Sequence, residues 1–113
     1  MTTLPYNLGE TTTLGFAVDQ ADGTPMPLDG LQLRVVVFLT GADLVIPAYA
    51  GAGDVIPPGE TVPVHHPSLI LFDLTPENFQ LLPRLWPCAP EINDGTGWTQ
   101  LPGPDHFIKA WRR

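Results

Sequence analysis

Apolar and polar residues alternate with a period of two in several short stretches of this chain. That period marks β-strands with one buried face. From Thr12 to Val18, the residues Leu14, Phe16 and Val18 share a face, with small residues between them. The longest alternation runs from Leu31 to Leu39. There Leu31, Leu33, Val35, Val37 and Leu39 point one way, while Gln32 and Arg34 point the other. One wet and one dry face is the pattern of an antiparallel sheet, and the β-branched density agrees. Ala42 to Tyr49 predicts a further short strand, with Leu44 and Ile46 on one side and Val45 on the other. Ser68 to Leu74 predicts another, with Ile70, Phe72 and Leu74 facing together. Arg84 to Ile92 aligns Trp86, Cys88 and Ile92, but Pro87 and Pro90 predict an edge strand or a bulge there. Trp98 to Leu101 and His106 to Trp111 predict the closing pair, turning at Pro102-Gly103-Pro104.

The punctuation between these stretches is turn chemistry. Asp22-Gly23, Asp29-Gly30 and Asn93-Asp94-Gly95 suit positive φ and tight reversal. Thr24-Pro25-Met26-Pro27 predicts an extended crossing, because each proline pushes its predecessor out of the α region. Ala50-Gly51-Ala52-Gly53-Asp54 predicts a flexible loop, followed by a very short strand at Val55-Ile56 before Pro57-Pro58. The one helical signal is Thr75 as a cap, Pro76 at the first position and Glu77 in the first turn. Phe79, Leu82 and Leu85 would pack inward, and Pro83 ends any helix after about two turns. The expectation is an all-β fold: a small antiparallel two-sheet (Ig-like) β-sandwich of about seven short strands with one short helical turn. Residues 1–113 read as a single β-sandwich domain.

Composition sharpens this picture at a few points. The 14 prolines and 11 glycines would suit disorder, but the apolar alternation argues for many strands joined by many turns. Formal net charge is −7, and the only basic cluster is Arg112-Arg113. Phosphate neutralisation needs clustered Lys and Arg, so no nucleic-acid partner is expected. An anionic membrane surface is disfavoured for the same reason. The opening Met1-Thr2-Thr3-Leu4-Pro5 has neither a basic nor an apolar signal segment, so no secretion signal is expected.

Candidate chemistry is sparse. His65 and His66 are adjacent, and neighbours on a strand point to opposite faces, so they do not readily chelate one ion, even with His106. Ser68 lacks a nucleophile elbow, and Cys88 sits in an apolar alternation with nothing local to activate it. Asp19 to Gly23 and Asn93 to Gly95 share fragments of calcium loops without their spacing or closing Glu. The carboxylates belong to turns. No enzyme activity, cofactor or metal is expected. Trp98, Trp111, Tyr6 and Tyr49 are candidates for a sugar-stacking platform.

Taken in order, several features resemble a family of small phage tail and baseplate β-sandwich proteins, similar to the N-terminal attachment module of baseplate upper proteins. They are Leu8-Gly9-Glu10 leading into Leu14–Val18, then Asp22-Gly23, and Leu28-Asp29-Gly30 before the long strand. The closest match is Leu71-Phe72-Asp73-Leu74-Thr75-Pro76-Glu77, running on to Leu81-Leu82-Pro83. The resemblance implies a non-enzymatic virion structural protein, made in the host cytoplasm and assembled with copies of itself or neighbouring virion proteins. The alternative is a bacterial carbohydrate- or protein-binding module. For the contact itself, Leu44, Val45, Ile46, Tyr49, Val55 and Ile56 are expected at a subunit interface. They form a stretch that is apolar on both alternating faces, placed at the rim of the sandwich.

Overall fold

A computed structural model describes residues 2–39, 41–56, 60–101 and 106–112, with no side-chain detail for residue 2. The expected turn at Pro102-Gly103-Pro104, the Pro57-Pro58 pair and Arg113 lie outside the described residues. Eight strands follow in chain order: β1 (Thr2–Asn7), β2 (Thr12–Ala17), β3 (Gln32–Leu39), β4 (Ala42–Val55), β5 (Val64–Leu74), β6 (Arg84–Asn93), β7 (Trp98–Gln100) and β8 (His106–Trp111). They form one hydrogen-bonded sheet in the order β1-β8-β6-β3-β4-β5-β2, with β7 beside β6.

The fold is therefore all-β, but its hydrogen bonds run along one continuous path instead of two separate sheets. That path curls until it nearly closes into a barrel, flattened to 38 × 38 × 21 Å. Curling brings the two edge strands together. Tyr6 from β1 and Phe16 from β2 belong to the same buried cluster as Val35, Val37, Ile46, Phe72, Leu74 and Ile108. Phe16 stacks on Phe72 at 5.5 Å and meets the His106 ring edge-on at 4.6 Å across the seam. A second cluster of Val18, Leu28, Leu33 and Ile70 closes one end of the barrel, beneath the 18–31 crossing.

The helical expectation is not met: among the described residues there is no helix. Thr75 and Asn78 do cap each other, Thr75 N donating to Asn78 Oδ1 at 2.8 Å and Asn78 N to Thr75 Oγ1 at 3.1 Å. Only one turn forms, closed by Phe79 N on Thr75 O. A single turn fixes several dihedrals for one hydrogen bond, and Pro83 blocks the propagation that would repay it. Phe79 does pack inward, but Leu82 and Leu85 are exposed.

One strand was not foreseen, and two further expectations change. Thr2–Asn7, which carries Pro5, is an edge strand parallel to β8. Ala50 to Asp54 is not a loop; it continues β4, with a register shift between Gly51 and Gly53. The shift puts the extra residues of β5, Pro67 and Ser68, opposite Ala52. Finally, β6 is central, paired with β3 on one side and with β7 and β8 on the other.

The prolines explain how β6 can be central. Within a strand, a residue's N and C=O point to the same side, and the side alternates. Leu101 N donates to Pro90 O, so the donorless nitrogen of Pro90 also faces the β7–β8 side. There the paired register of β7 ends at Glu91↔Gln100, and that of β8 begins at Cys88↔His106. Pro87, of opposite parity, faces β3 just past the last pair, Val37↔Cys88. By the same alternation Pro47 faces β5 one step beyond the last pair, Ala48↔Phe72. None of these prolines sits where a ladder donor is needed.

Candidate functional site

The register that buries Leu33, Val35 and Val37 places Arg34, Val36 and Phe38 on the outer face of β3. Val36 lies directly opposite Val45 of β4 and Ala89 of β6. Two residues along β6, Pro87 pairs with Phe107 of β8, and Leu85 pairs with Lys109. Phe38, one step beyond the Val37↔Cys88 pair, lies beside Pro87. The outer face thus presents Val45, Val36, Phe38, Ala89, Pro87, Leu85 and Phe107 across four neighbouring strands. The outer face of an antiparallel barrel in water is ordinarily polar. Here Val36 and Ala89 are almost fully buried by their neighbours alone, while Val45, Phe38 and Leu85 remain exposed.

Polar groups border this band at one end. Arg34 Nε pairs with Glu91 Oε1 at 2.7 Å, and its guanidinium lies 4.0 Å from the centre of the Trp98 ring. At the same end, on β4, β5 and β2, Thr13 and Tyr49 both donate to Asp73 Oδ1, at 2.6 and 3.0 Å. Accepting these bonds keeps Asp73 oriented, and the Tyr49 phenol is raised above its usual pKa by its bond to that carboxylate. Leu71 lies flat between Gly15 and Gly51, where an added Cβ would stand within 2.7 and 2.4 Å of its methyls. An apolar centre with a polar, hydrogen-bonded rim is the anatomy of a protein–protein contact.

The six residues expected at the interface are divided by the fold. Ile46 belongs to the barrel core, and Leu44 packs against that core. Both point inward, because alternation on β4 puts them opposite Val35 and Val37. Val45, Tyr49 and Ile56 are exposed, and Val55 is half-buried. Moreover β4 is not a rim strand: it lies between β3 and β5. At a rise of ~3.3 Å per residue, Val45 and Ile56 are roughly 36 Å apart along the strand, too far for one compact contact. What the one-strand reading missed is the lateral neighbours: Val36, Phe38, Pro87 and Phe107 become one surface only through pairing.

The histidines fall in different places. His66 Nε2 lies 2.8 Å from Asp19 Oδ1, and its Nδ1 accepts the backbone N–H of Ser68 at 3.1 Å. Neutral His66 therefore carries its proton on Nε2 and donates it to Asp19. This trio does not have the geometry of a nucleophilic triad, since Ser68 offers the ring its amide and not its hydroxyl. His65 points elsewhere, 3.8 Å from Asp54 and exposed, and His106 is across the seam from Phe16. No group of three metal-ligating side chains converges among the described residues. Cys88 is buried, and loss of solvation pushes its thiol up to about 12, far from the thiolate a nucleophile requires.

The aspartates of the two calcium-like fragments serve their own turns. Thr24 donates to Asp22 Oδ1 through both N and Oγ1, and Thr96 does the same for Asp94. These bonds hold both carboxyls below their usual pKa. Gly95, at φ +103°, then reverses the chain as an L side chain would not. A cleft of about 500 Å³ opens where the seam is unzipped, between the end of β2 and Pro90, Leu101 and His106. Its walls are mostly apolar, with Asp19 and His106 as the ionisable members. No family model, curated protein or solved structure matches this chain.

Proposed function

We propose that this protein is a non-enzymatic structural component of a phage or prophage virion, in its tail, baseplate or capsid surface, acting through protein–protein contacts. The observation that carries the assembly role is the apolar band on the outer sheet face, bounded at one end by the Arg34–Glu91–Trp98 and Thr13–Tyr49–Asp73 groups. A sheet face destined for water has no use for Phe38, Val45, Leu85 and Phe107 on adjoining strands. The virion assignment is drawn from the order of the motifs. Leu8-Gly9-Glu10 turns into β2, Leu28-Asp29-Gly30 precedes β3, and Leu71–Leu74 ends in the capped turn at Thr75, as in the phage family the sequence resembles. A non-enzymatic role is supported by the His66–Ser68 geometry and by the shielded Cys88 thiol.

The competing reading is a bacterial carbohydrate- or protein-binding module, and its carbohydrate form rests on the exposure of Trp98 and Trp111. One face of Trp98 is already taken by Arg34, which leaves less ring for a sugar. The decisive measurement is mass spectrometry of purified particles from a host producing the chain. The chain should be found at stoichiometric level in the particle fraction. Recovery only in the soluble lysate, together with glycan-array binding lost on Trp98→Ala, would favour the competing reading. Phe38→Asp should keep its fold by circular dichroism and fail to enter particles.

A further inference from the structure

We infer that the occupant of the outer face is a second copy of this chain, related by a two-fold axis that runs along the strands between β6 and β3. This rests on the reading of that face as an assembly contact and names the partner.

The argument is one of charge and symmetry. An isologous contact must be self-complementary: what lies on one flank must match what lies on the other. Lys109, the chain's only lysine, stands on the β8 flank of the apolar band, beside Leu85. Asp43 stands on the β4 flank, opposite Phe38. Both are exposed, and neither makes an ion pair among the described residues. A lone base and a lone acid thus face each other across a band free of other charges.

The spacing suits a two-fold axis. With strands ~4.8 Å apart, β8 and β4 each lie ~7 Å from a line midway between β6 and β3. Rotation about that line lays the β8 flank of one copy on the β4 flank of the other. Lys109 and Asp43 are then one two-residue step apart along the strands, ~7 Å, which a lysine side chain spans. The pair forms twice, once on each side. The same operation sets Phe38 against the partner's Pro87, and Val36 against its Ala89. The apolar centre, four strands wide and about three side-chain rows long, covers ~400 Å². Standard contacts bury about 800 Å² on each partner, so the polar rim completes the area and the association is a modest one.

Sedimentation velocity of the full chain over a wide concentration range tests this. Wild type should pass from monomer to dimer. Lys109→Asp alone and Asp43→Lys alone should each weaken the dimer at least about tenfold, since each reversal sets like charges together at two places. The double reversal should restore it to within about threefold of wild type. Both variants are surface changes away from the core, and unchanged circular dichroism verifies the fold. A wild-type chain that stays monomeric at every concentration overturns the second copy as occupant. If Phe38→Asp nevertheless blocks entry into particles, the face is an assembly contact for a different protein. A dimer indifferent to both reversals overturns the two-fold placement. Absence of the chain from particles, by contrast, bears on the virion reading alone.

Discussion

Phe72 shows what a single residue does in this fold. It is fully buried, stacks on Phe16 and pairs across β2 and β4. Phe72→Ala should cost about 3–5 kcal/mol by chemical denaturation, because the tightly curled sheet has little freedom to collapse into the cavity. A loss below about 1 kcal/mol would mean that the side chain is solvated. Cys88 gives a second residue-scale test. Its folded thiol pKa, about 12, lies above the ordinary value of 9.0 because the thiolate is desolvated. The stability this represents is fully present below pH 9 and is lost as pH rises toward 12. Native protein should resist thiol reagents at neutral pH and react once unfolded; rapid labelling of the folded protein would show that the site opens. Asp22 and Asp94 act in the opposite direction. Their folded pKa values are lowered from 3.8, so their contribution is present above about pH 4 and fades as pH falls further. Asp22→Asn with Asp94→Asn keeps the acceptors and removes the charges. That variant should lose less of its thermal midpoint than wild type between pH 4 and pH 2.

At the scale of the element, β6 is the informative strand. A central strand with two prolines is tolerable because each donorless nitrogen falls at or just past the end of a paired register. The prediction is a contrast between adjacent positions. Pro90→Ala should change stability by no more than about 1 kcal/mol, mainly through the unfolded chain. Ala89→Pro should cost about 3 kcal/mol or more, because the Ala89 N–H faces Val36 in the intact β3 ladder. Equal effects at the two positions in equilibrium denaturation would show that the strand's parity is reversed. β4 teaches a related point. Its Gly51-Ala52-Gly53 run reads as a loop by composition, yet it accommodates Leu69 and Leu71 of β5 lying against the missing side chains. Glycine here serves close approach as much as turning.

For the whole molecule, one curled sheet does two jobs. Its inner face forms a core to which both edge strands contribute, and its outer face carries an apolar band edged at one end by bonded polar groups. Chelator treatment should leave the thermal midpoint unchanged within error, since no three ligands converge among the described residues. A fall of several degrees with EDTA would return His65, His66 and His106 to consideration as a metal site.

Period-two alternation and turn residues determined, from the sequence alone, that the chain is β throughout. They also put Phe16, Val35, Val37 and Phe72 on the buried face, because side-chain direction on a strand follows from residue parity. The turns at Asp22-Gly23, Asp29-Gly30 and Asn93-Asp94-Gly95 were legible for an equally local reason: positive φ and Asx hydrogen bonding are properties of a few adjacent residues. Strand neighbours are not local. Whether Pro90 ends a strand or rests in its middle depends on where the registers of β7 and β8 on β6 end and begin, and nothing near Pro90 in the chain records that. The curl that makes one sheet of the expected two depends on pairings such as β1 with β8, about a hundred residues apart. The candidate site lay beyond reach for the same reason. Val45 was visible as an exposed apolar residue on its own strand, but Val36, Phe38, Pro87 and Phe107 join it only through hydrogen-bonded register. Parity along a strand is written in the sequence; adjacency between strands is decided by tertiary structure.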